Sequence, residues 1–538
     1  MWLCHARSWQ KCPSKGRQHH QTACVPCGTH PTKASFRRPE PNGKSSLKPQ
    51  RLPENQRQSE TQHRPSEKTA NPIPTPPRGE PMSHLIQDWR PEDPQFWQTT
   101  GKKTAKRNLW ISIPALFLAF AMWQVWSVAT LNLPNIGFQF TKNQLFWLAA
   151  VPALSGSTLR AVYSFMVPIF GGRRWTAIST ASLLLPAVGL GFAVQDPTTS
   201  YSTMIILALL CGFGGGNFSS SMANISFFFP RAEKGTALGL NAGLGNLGVS
   251  AVQFVVPLVI TAGLFGALGG NPQILADSGK QIWLQNAGFV WVPFILASSI
   301  AAWFGMNDLA SAKASFKDQA AIFKRKHNWL MCILYLGTFG SFLGFSAGFP
   351  LLTKTLFPDM PTAYAFLGPL IGAAVRPLGG WISDKVGGAK ITNIVFTGMI
   401  LGIFGVLAFL PDASGNGGSF WGFFACFMLL FALAGLGNGS TFMQIPIIFN
   451  IYHQKRADAG LVSREEAEKD AIREAAAVIG FTAAFAGYGG FFIPKSYGTS
   501  IEMTGSVNAA LYLFIVLYAV CALINWWYYL RKNAEAKC

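Results

Sequence analysis

The chain has 538 residues, of which 49% are hydrophobic and only 13% are charged, against about 25% charged residues in an ordinary soluble protein. So few charges cannot cover the roughly three or four soluble domains that this length would otherwise suggest. The net charge of +20 is shared between residues 1–81, with 14 Lys/Arg and five Glu, and residues 82–538, with 30 Lys/Arg and 19 Asp/Glu. The second excess lies in connections on one side of a predicted membrane bundle, so a nucleic-acid binder is not indicated.

Residues 1–81 have a different composition from the rest of the chain. They are rich in Pro, Gln, Ser, His and Arg and poor in large aliphatic residues, which predicts a disordered basic leader. This leader is either dispensable or upstream sequence read through from an earlier start codon, and Met82 is the expected functional start. A zinc module around Cys24 and Cys27 is the alternative, but a zinc site needs four ligands and only one close pair is present. We expect no metal and no cofactor.

From residue 108 onward the chain consists of apolar runs long enough to cross a bilayer, which takes about 20 residues per helix. The runs predict an all-α integral membrane protein with twelve transmembrane helices. Residues 82–107 are expected to form a cytoplasmic N-terminal segment ahead of the first helix. The approximate bounds of the runs are 109–131, 143–170, 175–194, 202–229, 236–264, 286–306, 329–352, 361–382, 391–410, 420–449, 474–494 and 506–530.

The basic residues of the connections fall almost entirely on one side of the predicted membrane. One side carries 23 Lys/Arg and the other carries four. The positive-inside rule therefore places both termini in the cytoplasm. The expected domains are a six-helix half over 108–306, a cytoplasmic connection over 307–328, a second half over 329–530 and a cytoplasmic tail over 531–538.

The two halves repeat each other's motifs. Arg160 and Arg376 are each followed eleven residues later by a glycine pair, and predicted spans four and ten share a Gly-Asn motif at 216–217 and 437–438. Two matching six-helix halves predict a rocking transporter whose site lies between them. Glycines let helix backbones approach and slide, and six of them are expected to serve packing and gating: Gly243, Gly245, Gly248, Gly435, Gly437 and Gly439.

Arg160 and Arg376 are the only charged residues placed well inside the predicted spans. The acidic residues after 107, Glu474 among them, fall in connections or at helix ends, and His327 and His453 also lie outside these spans. An intramembrane arginine costs at least ~2.5 kcal/mol, and no carboxylate in the spans neutralises this pair. An anion brought in from water is the natural partner, and the planar guanidinium suits nitrate, nitrite or a carboxylate. Alternatively, each arginine bonds backbone carbonyls or extends to the membrane interface.

The same charge inventory bears on the mechanism. Proton coupling usually runs through Asp, Glu or His in the spans, and none is predicted there. An empty site with two positive charges resists reorientation, whereas a loaded site does not. Anion antiport is therefore favoured over proton symport, although a proton could still travel on the substrate, on water or on a tyrosine.

The chain resembles the nitrate/nitrite porter (NarK-type) family of the major facilitator superfamily over about residues 82–538. The resemblance rests on two long glycine-rich stretches, 214–248 and 435–446. Residues 1–81 lie outside the family pattern, and the loop motif of the superfamily is only partly present, at 171–174 and 384–388. The resemblance implies the major facilitator fold and transport of nitrate and nitrite.

The resemblance also implies which residues bind the anion. The paired substrate arginines of the family fall on Arg160 and Arg376. The remaining pocket residues fall on Phe218 and Phe339, which are expected to sandwich the anion, and on Asn246 and Tyr335, which are expected to donate hydrogen bonds to it. Taken alone, these aromatic residues would be interpreted as core side chains.

Functions of other classes fit the sequence less well than a porter. The spans contain no histidine for a membrane redox subunit, and the loops leave no room for a soluble enzyme domain, so we expect no enzyme activity. A sensor built on a transporter fold and a porter for phosphate or an organic acid stay open as alternatives. The expected partners are nitrate, nitrite and membrane lipid, without nucleic acid, and the protein is expected to be a monomer.

Deleting residues 1–81 should leave membrane insertion and transport unchanged, because a polar, disordered leader contributes no packing. Membrane levels and anion flux of the truncated and full-length chains give the measurement. Loss of flux or mislocalisation of the truncated chain would show that the leader is functional.

Overall fold

A computed structural model describes residues 84–312, 320–412 and 417–538. The predicted leader and the zinc alternative lie outside these residues. Within the described part of the chain, twelve helices are long and apolar enough to cross a membrane, as the sequence predicts. They are α1 (Pro94–Ala129), α2 (Lys142–Tyr163), α3 (Gly172–Ala193), α4 (Tyr201–Phe228), α5 (Arg231–Val259), α6 (Asn286–Gly305), α7 (Lys326–Leu356), α8 (Thr362–Val386), α9 (Gly388–Ala408), α10 (Phe420–Asp458), α11 (Arg464–Thr504) and α12 (Asn508–Leu530).

The observed helices differ from the predicted spans mainly in length. Helices α10 and α11 have 39 and 41 residues, about twice what a bilayer core requires, so their ends extend beyond the apolar layer. The predicted run 143–170 is divided, because α2 ends at Tyr163 and a short helix, Met166–Phe170, follows it. Helix α1 begins well before the predicted residue 109.

Several helices carry local irregularities. A π-helical turn, Leu336–Gly340, interrupts α7 directly after Tyr335. Helix α11 is divided at Tyr488 into Arg464–Gly487 and Gly489–Thr504. Single π-helical turns inside α-helices occur frequently at functional sites.

The packing of the first six helices is repeated in the last six. Helix α2 lies along α4 as α8 lies along α10, and α3 packs on α6 as α9 packs on α12. Glycine allows the closest approaches, because a Cβ on Gly215 would lie 2.7 Å from the Cα of Gly156 and one on Gly435 would lie 2.2 Å from the carbonyl oxygen of Gly372. The glycine pair that follows each arginine has the same structural role in both halves. Gly171 and Gly387 both adopt a positive φ, 88° and 100°, where the chain turns into the next helix.

Two short strand pairs mark the two ends of the bundle. Strands β1 (Leu85–Ile86) and β4 (Asp308–Leu309) pair in parallel, beside the connection between α6 and α7. We call this the connection end. Strands β2 (Gln273–Ile274) and β3 (Gln281–Ile282) form an antiparallel hairpin between α5 and α6. The hairpin segment contacts the loop between α1 and α2, where the Ala276 amide donates to the Asn135 carbonyl, and we call this the distal end.

Candidate functional site

Arg160 is fully buried in α2 and reaches across to the second half of the protein. Its Nε donates to the Gly215 carbonyl of α4 at 2.9 Å, and its Nη1 donates to the Ala483 carbonyl of α11 at 2.7 Å. The Nη2 atom is buried and has no hydrogen-bond partner. Backbone carbonyls therefore hold two nitrogens of the guanidinium, as the alternative interpretation of this arginine expects, while the third stays available to a ligand.

Aromatic rings enclose the Arg160 guanidinium. Its Cζ lies 4.8 Å from the centroid of the Phe218 ring, 5.4 Å from that of Phe339 and 4.9 Å from that of Trp123. These rings attract the cation through their faces and exclude water from it. The two phenylalanines expected to sandwich an anion thus lie on either half of the protein beside the same arginine.

Arg376 occupies the matching position of α8 and is partly exposed. Its Cζ lies 5.7 Å from the centroid of the Phe442 ring, and its buried Nη1 has no hydrogen-bond partner. The two arginines are close enough to repel each other electrostatically. Among the described residues, no carboxylate lies within 4.0 Å of either guanidinium.

Asn246 and Tyr335, the two expected hydrogen-bond donors, are both buried. The Oδ1 atom of Asn246 has no partner. The hydroxyl of Tyr335 donates to Oδ1 of Asn438 on α10 at 2.7 Å, and its ring stacks on Phe339 with 5.3 Å between centroids. These contacts group Tyr335 and Phe339 with Arg160 and give the Tyr335 hydroxyl a protein partner. Asn246 is buried, and none of the contacts described joins it to the other five predicted residues.

The six predicted packing glycines divide into two groups. Five contact another helix so closely that a Cβ would lie within 3.0 Å of a neighbouring atom: Gly245, Gly248, Gly435, Gly437 and Gly439. Gly243 has nothing within 4 Å of that position, and neither do Gly235 and Gly239 on the same helix or Gly480 on α11. These four glycines line open space toward the connection end.

The described hydrogen bonds between the halves all lie at or beyond the level of the arginines, toward the distal end. Helix α5 donates to α7 and α8 through Gln253 and Ser250. Helix α2 contacts α11 through the Thr158 and Tyr488 hydroxyls, 2.8 Å apart, and through Asn143 near the distal end. Among the described residues, the halves are thus joined toward the distal end, whereas the helices leave open space at the four glycines toward the connection end.

One polar cluster lies where three helices extend beyond the predicted spans. Glu474 lies ten residues into α11 and is buried, and it accepts two hydrogen bonds from Arg325, at 2.7 and 2.9 Å. His453, fully buried within α10, lies 3.1 Å from the same carboxylate, and His327 is the second residue of α7. The sequence placed Glu474 at the end of a span and both histidines outside the spans, whereas all three lie within helices, because α7, α10 and α11 begin or end outside the apolar runs.

This cluster is distant from the arginines along the chain's own helices. His453 follows Asn438 by fifteen residues in α10, which is about 22 Å along a helix. Glu474 precedes Ala483, the partner of Arg160, by nine residues in α11, or about 13 Å. The cluster therefore belongs to the connection end and does not neutralise the arginine pair.

Comparisons with known proteins decide the family. A family model of the Major Facilitator Superfamily matches residues 113–494. The nitrate/nitrite transporter NarU of Escherichia coli is 52% identical over 458 residues, which cover 84% of this chain and 98% of that protein. The chain belongs to the nitrate/nitrite porter family of the major facilitator superfamily. The probable nitrate/nitrite antiporter NarK2 of Thermus thermophilus is another relative of this porter, 43% identical over 84% of the chain and 98% of its own length.

Solved structures agree with the fold. A bacterial homolog of the human lysosomal transporter Spinster, inward-facing and occupied, matches with a TM-score of 0.57 at 13% identity, over 78% of this chain and 95% of that chain. The xylose transporter XylE of Escherichia coli, partially occluded and inward open, matches with a TM-score of 0.54 at 14% identity, over 79% and 99%. At these identities the matches show the fold alone. The porter is a multi-pass membrane protein with the major facilitator fold.

Three residues of the site were not predicted from the sequence. Ala483 contributes only a carbonyl oxygen, and no sequence pattern identifies such a contact. Trp123 contacts Arg160 with its ring while its Nε1 donates to the Pro152 carbonyl at 2.7 Å, but it is one of many aromatic residues in an apolar run. Asn438 could have been found, because the Gly-Asn repeat draws attention to it.

Proposed function

We propose that this porter exchanges nitrate and nitrite across the bacterial inner membrane by alternating access, with the anion bound between Arg160 and Arg376. The observation that carries the proposal is a fully buried Arg160 and a partly exposed Arg376, each with a buried Nη atom that has no partner and with no carboxylate within 4.0 Å in the described residues. The protein would act as a transporter without enzyme activity or cofactor, as a monomer in the lipid.

The chemistry of the two arginines supports a small planar anion. An anion between them would receive charge-assisted hydrogen bonds from Nη2 of Arg160 and Nη1 of Arg376, which are both buried and without a partner. The carbonyls of Gly215 and Ala483 satisfy hydrogen bonds of Arg160, but they carry no full charge and leave the net charge of the pair unbalanced. The names of the relatives, nitrate/nitrite transporter and probable nitrate/nitrite antiporter, agree with this choice of anion.

The shape of the bundle supports alternating access. The connection end carries most of the basic residues, so the positive-inside rule places it in the cytoplasm together with both termini. The open connection end and closed distal end then correspond to an inward-facing carrier. Reorientation would separate the contacts at the distal end and bring together helix faces such as those at Gly239 and Gly480, which are open here.

A polar latch between α2 and α11 should stabilise the inward-facing state. Lys495 donates to Asn143 at 3.0 Å and lies 4.8 Å from the Trp147 ring centroid, while Asn143 donates to Glu502. Lys495→Met should remove about 1 kcal/mol of this stabilisation, raising the outward-facing fraction about fivefold. Spin-label distances across the distal end, before and after the substitution, measure that fraction.

Lys142→Met is the matched control for the latch. Lys142 is exposed at the start of the same α2 helix, so its loss should leave the distance distribution unchanged. Equal shifts in both variants would mean that general charge, and not the latch, sets the balance.

The test of the proposed function is anion flux in proteoliposomes. Vesicles loaded with nitrate should release it when nitrite or nitrate is supplied outside, and should release far less with phosphate or chloride. Strong exchange with phosphate or an organic acid and none with nitrite would contradict the assignment and favour a porter for another anion. Specific anion binding without any flux would favour a sensor.

A proton-coupled nitrate symporter is the second candidate. The buried Glu474 and His453 favour it, because they supply titratable groups inside helices where the apolar runs predict none. Against it, Arg325 already neutralises Glu474 through two hydrogen bonds, and the cluster is distant from the arginine pair. Antiport therefore fits the arrangement better.

A further inference from the structure

We propose that Asn438 is a positioning residue that aims the Tyr335 hydroxyl, so that it donates to Asn438 in the empty site and to the anion in the loaded site. This inference rests on the proposed function. Both side chains are buried, with 2% of each exposed, and they are joined by the 2.7 Å hydrogen bond.

The chemistry of the two groups requires a switch. An anion only accepts hydrogen bonds, and the tyrosine hydroxyl has one proton to donate. If Tyr335 turned that proton to an anion, Oδ1 of Asn438 would be a buried acceptor facing the lone pairs of the phenol oxygen, which is costly. A half-turn of the amide removes the conflict, because Nδ2 then donates to the phenol oxygen while the hydroxyl donates to the anion. An amide is thus suited to both states, whereas a hydrocarbon side chain satisfies neither.

The surroundings hold Asn438 in place for this role. Glycines flank it, and a Cβ on Gly437 would lie 2.6 Å from Thr338 of α7, while one on Gly439 would lie 2.2 Å from the Arg376 carbonyl of α8. Helix α10 is therefore pressed against α7 and α8 on either side of Asn438. The hydroxyls of Thr338 and Thr441, 3.1 Å apart, join the same two helices, α7 and α10.

Tyr335 is placed to transmit this orientation to the arginines. It ends the regular first part of α7, directly before the π-helical turn, and it interacts electrostatically with both Arg160 and Arg376. Its ring stacks on Phe339, which in turn lies beside Arg160. Through Phe339, the Tyr335 side chain is thus one side chain away from the Arg160 guanidinium.

The internal repeat provides a comparison within the same chain. Asn217 is the counterpart of Asn438 in the Gly-Asn motif of α4, but its Nδ2 donates to the Ser179 carbonyl of α3 at 3.4 Å and its Oδ1 has no partner. It lines a small cavity among hydroxyl groups that include Thr180 and Ser220. The repeat therefore preserves the residue, but only the second half directs it at a residue of the anion site.

A double-mutant cycle in proteoliposomes tests the proposal. Asn438→Leu should raise the KM for nitrate exchange about five- to tenfold, as expected from one hydrogen bond worth ~1–1.4 kcal/mol, with a smaller effect on Vmax. In a Tyr335→Phe background the same substitution should change KM less than about twofold. Asn217→Leu is the matched control, and its effect should be equal in both backgrounds because it does not contact Tyr335.

Asn438→Ser separates hydrogen bonding from packing. Serine is smaller than asparagine but both donates and accepts, whereas leucine has the same number and branching of side-chain heavy atoms and does neither. The proposal predicts a KM closer to wild type for Asn438→Ser than for Asn438→Leu, and a packing role predicts the opposite order. Thermal unfolding of each variant in detergent, compared with the wild type, identifies any loss caused by misfolding.

The possible outcomes distinguish failure of this proposal from failure of the proposed function. If wild-type vesicles exchange nitrate and Asn438→Leu raises KM much less in the Tyr335→Phe background, the proposed function and the positioning role are both supported. If wild-type vesicles exchange nitrate but Asn438→Leu raises KM equally with and without the Tyr335 hydroxyl, the positioning role is overturned alone. If wild-type vesicles exchange neither nitrate nor nitrite, the proposed function fails and this inference fails with it.

Discussion

Arg160→Lys and Arg376→Lys should each reduce nitrate exchange about 100-fold or more without unfolding the protein. Lysine keeps the positive charge but loses the planar fork, and a hydrogen bond to a charged group contributes about 1.5–3 kcal/mol. For Arg160 the loss is compounded, because one side chain must contact Gly215, Ala483 and the anion together, and an ammonium cannot reproduce that planar arrangement. Exchange flux at equal protein incorporation gives the measurement.

Arg464→Lys is the control for the chemistry of the substitution. The Arg464 side chain is 85% exposed at the start of α11, so its replacement should leave the flux unchanged. Near-normal flux in either Arg160→Lys or Arg376→Lys, at normal membrane levels, would contradict the two-arginine site.

Gly439→Ala should destabilise the fold and abolish exchange. A Cβ at this position would lie 2.2 Å from the Arg376 carbonyl oxygen and 2.7 Å from the Gly380 amide, and backbone atoms in packed helices cannot move aside independently. Overpacking of this kind costs about 1–3 kcal/mol, occasionally more. It would also displace the helix that carries Arg376. The Tm in detergent should therefore fall by several degrees, together with a loss of flux.

Gly243→Ala is the matched control within the same set of predicted glycines. Nothing lies within 4 Å of the added Cβ, so the Tm should stay within about one degree of the wild type. Because alanine has a higher helix propensity than glycine, a Tm loss equal to that of Gly439→Ala would contradict the assignment of the Gly439→Ala effect to contact between helices. Slower exchange with an unchanged Tm would place Gly243 at a contact formed only when the connection end closes.

The number of spans and their repeat were predictable because membrane helices leave a strong sequence signal. A run of about 20 apolar residues is typical of a membrane span and rare in soluble proteins, and the glycine pairs after Arg160 and Arg376 have the same turn geometry in the structure. Of the two arginines that the sequence places between the halves, Arg160 contacts the second half through the Ala483 carbonyl. Their role in binding an anion stays a prediction.

The full lengths of the helices could not be predicted, because hydropathy identifies only the part of each helix that lies in the apolar layer. Helix α10 continues past its apolar run to Asp458, and α11 begins at Arg464. The sequence therefore placed His453 outside a span and Glu474 at the end of one, although both lie within helices. Their burial depends on Arg325, which lies far away in sequence. The carbonyl of Ala483 and the partner of the Tyr335 hydroxyl depend on how the halves pack, and a single sequence carries no record of those distances.

The central claim is that anions are exchanged through a site with two arginine charges. Its most direct test is whether nitrate efflux requires an anion on the opposite side of the membrane. Vesicles loaded with labelled nitrate are diluted into buffer with or without nitrite, at set membrane potentials and pH gradients. An empty site with two arginine charges is unfavourable to reorient, so efflux should be fast only when nitrite or nitrate is present outside. One-for-one exchange of monovalent anions moves no net charge, so the potential should change the rate little, and a pH gradient should not drive accumulation. Net nitrate uptake into empty vesicles, driven by an inward proton gradient and abolished by an uncoupler, would contradict antiport.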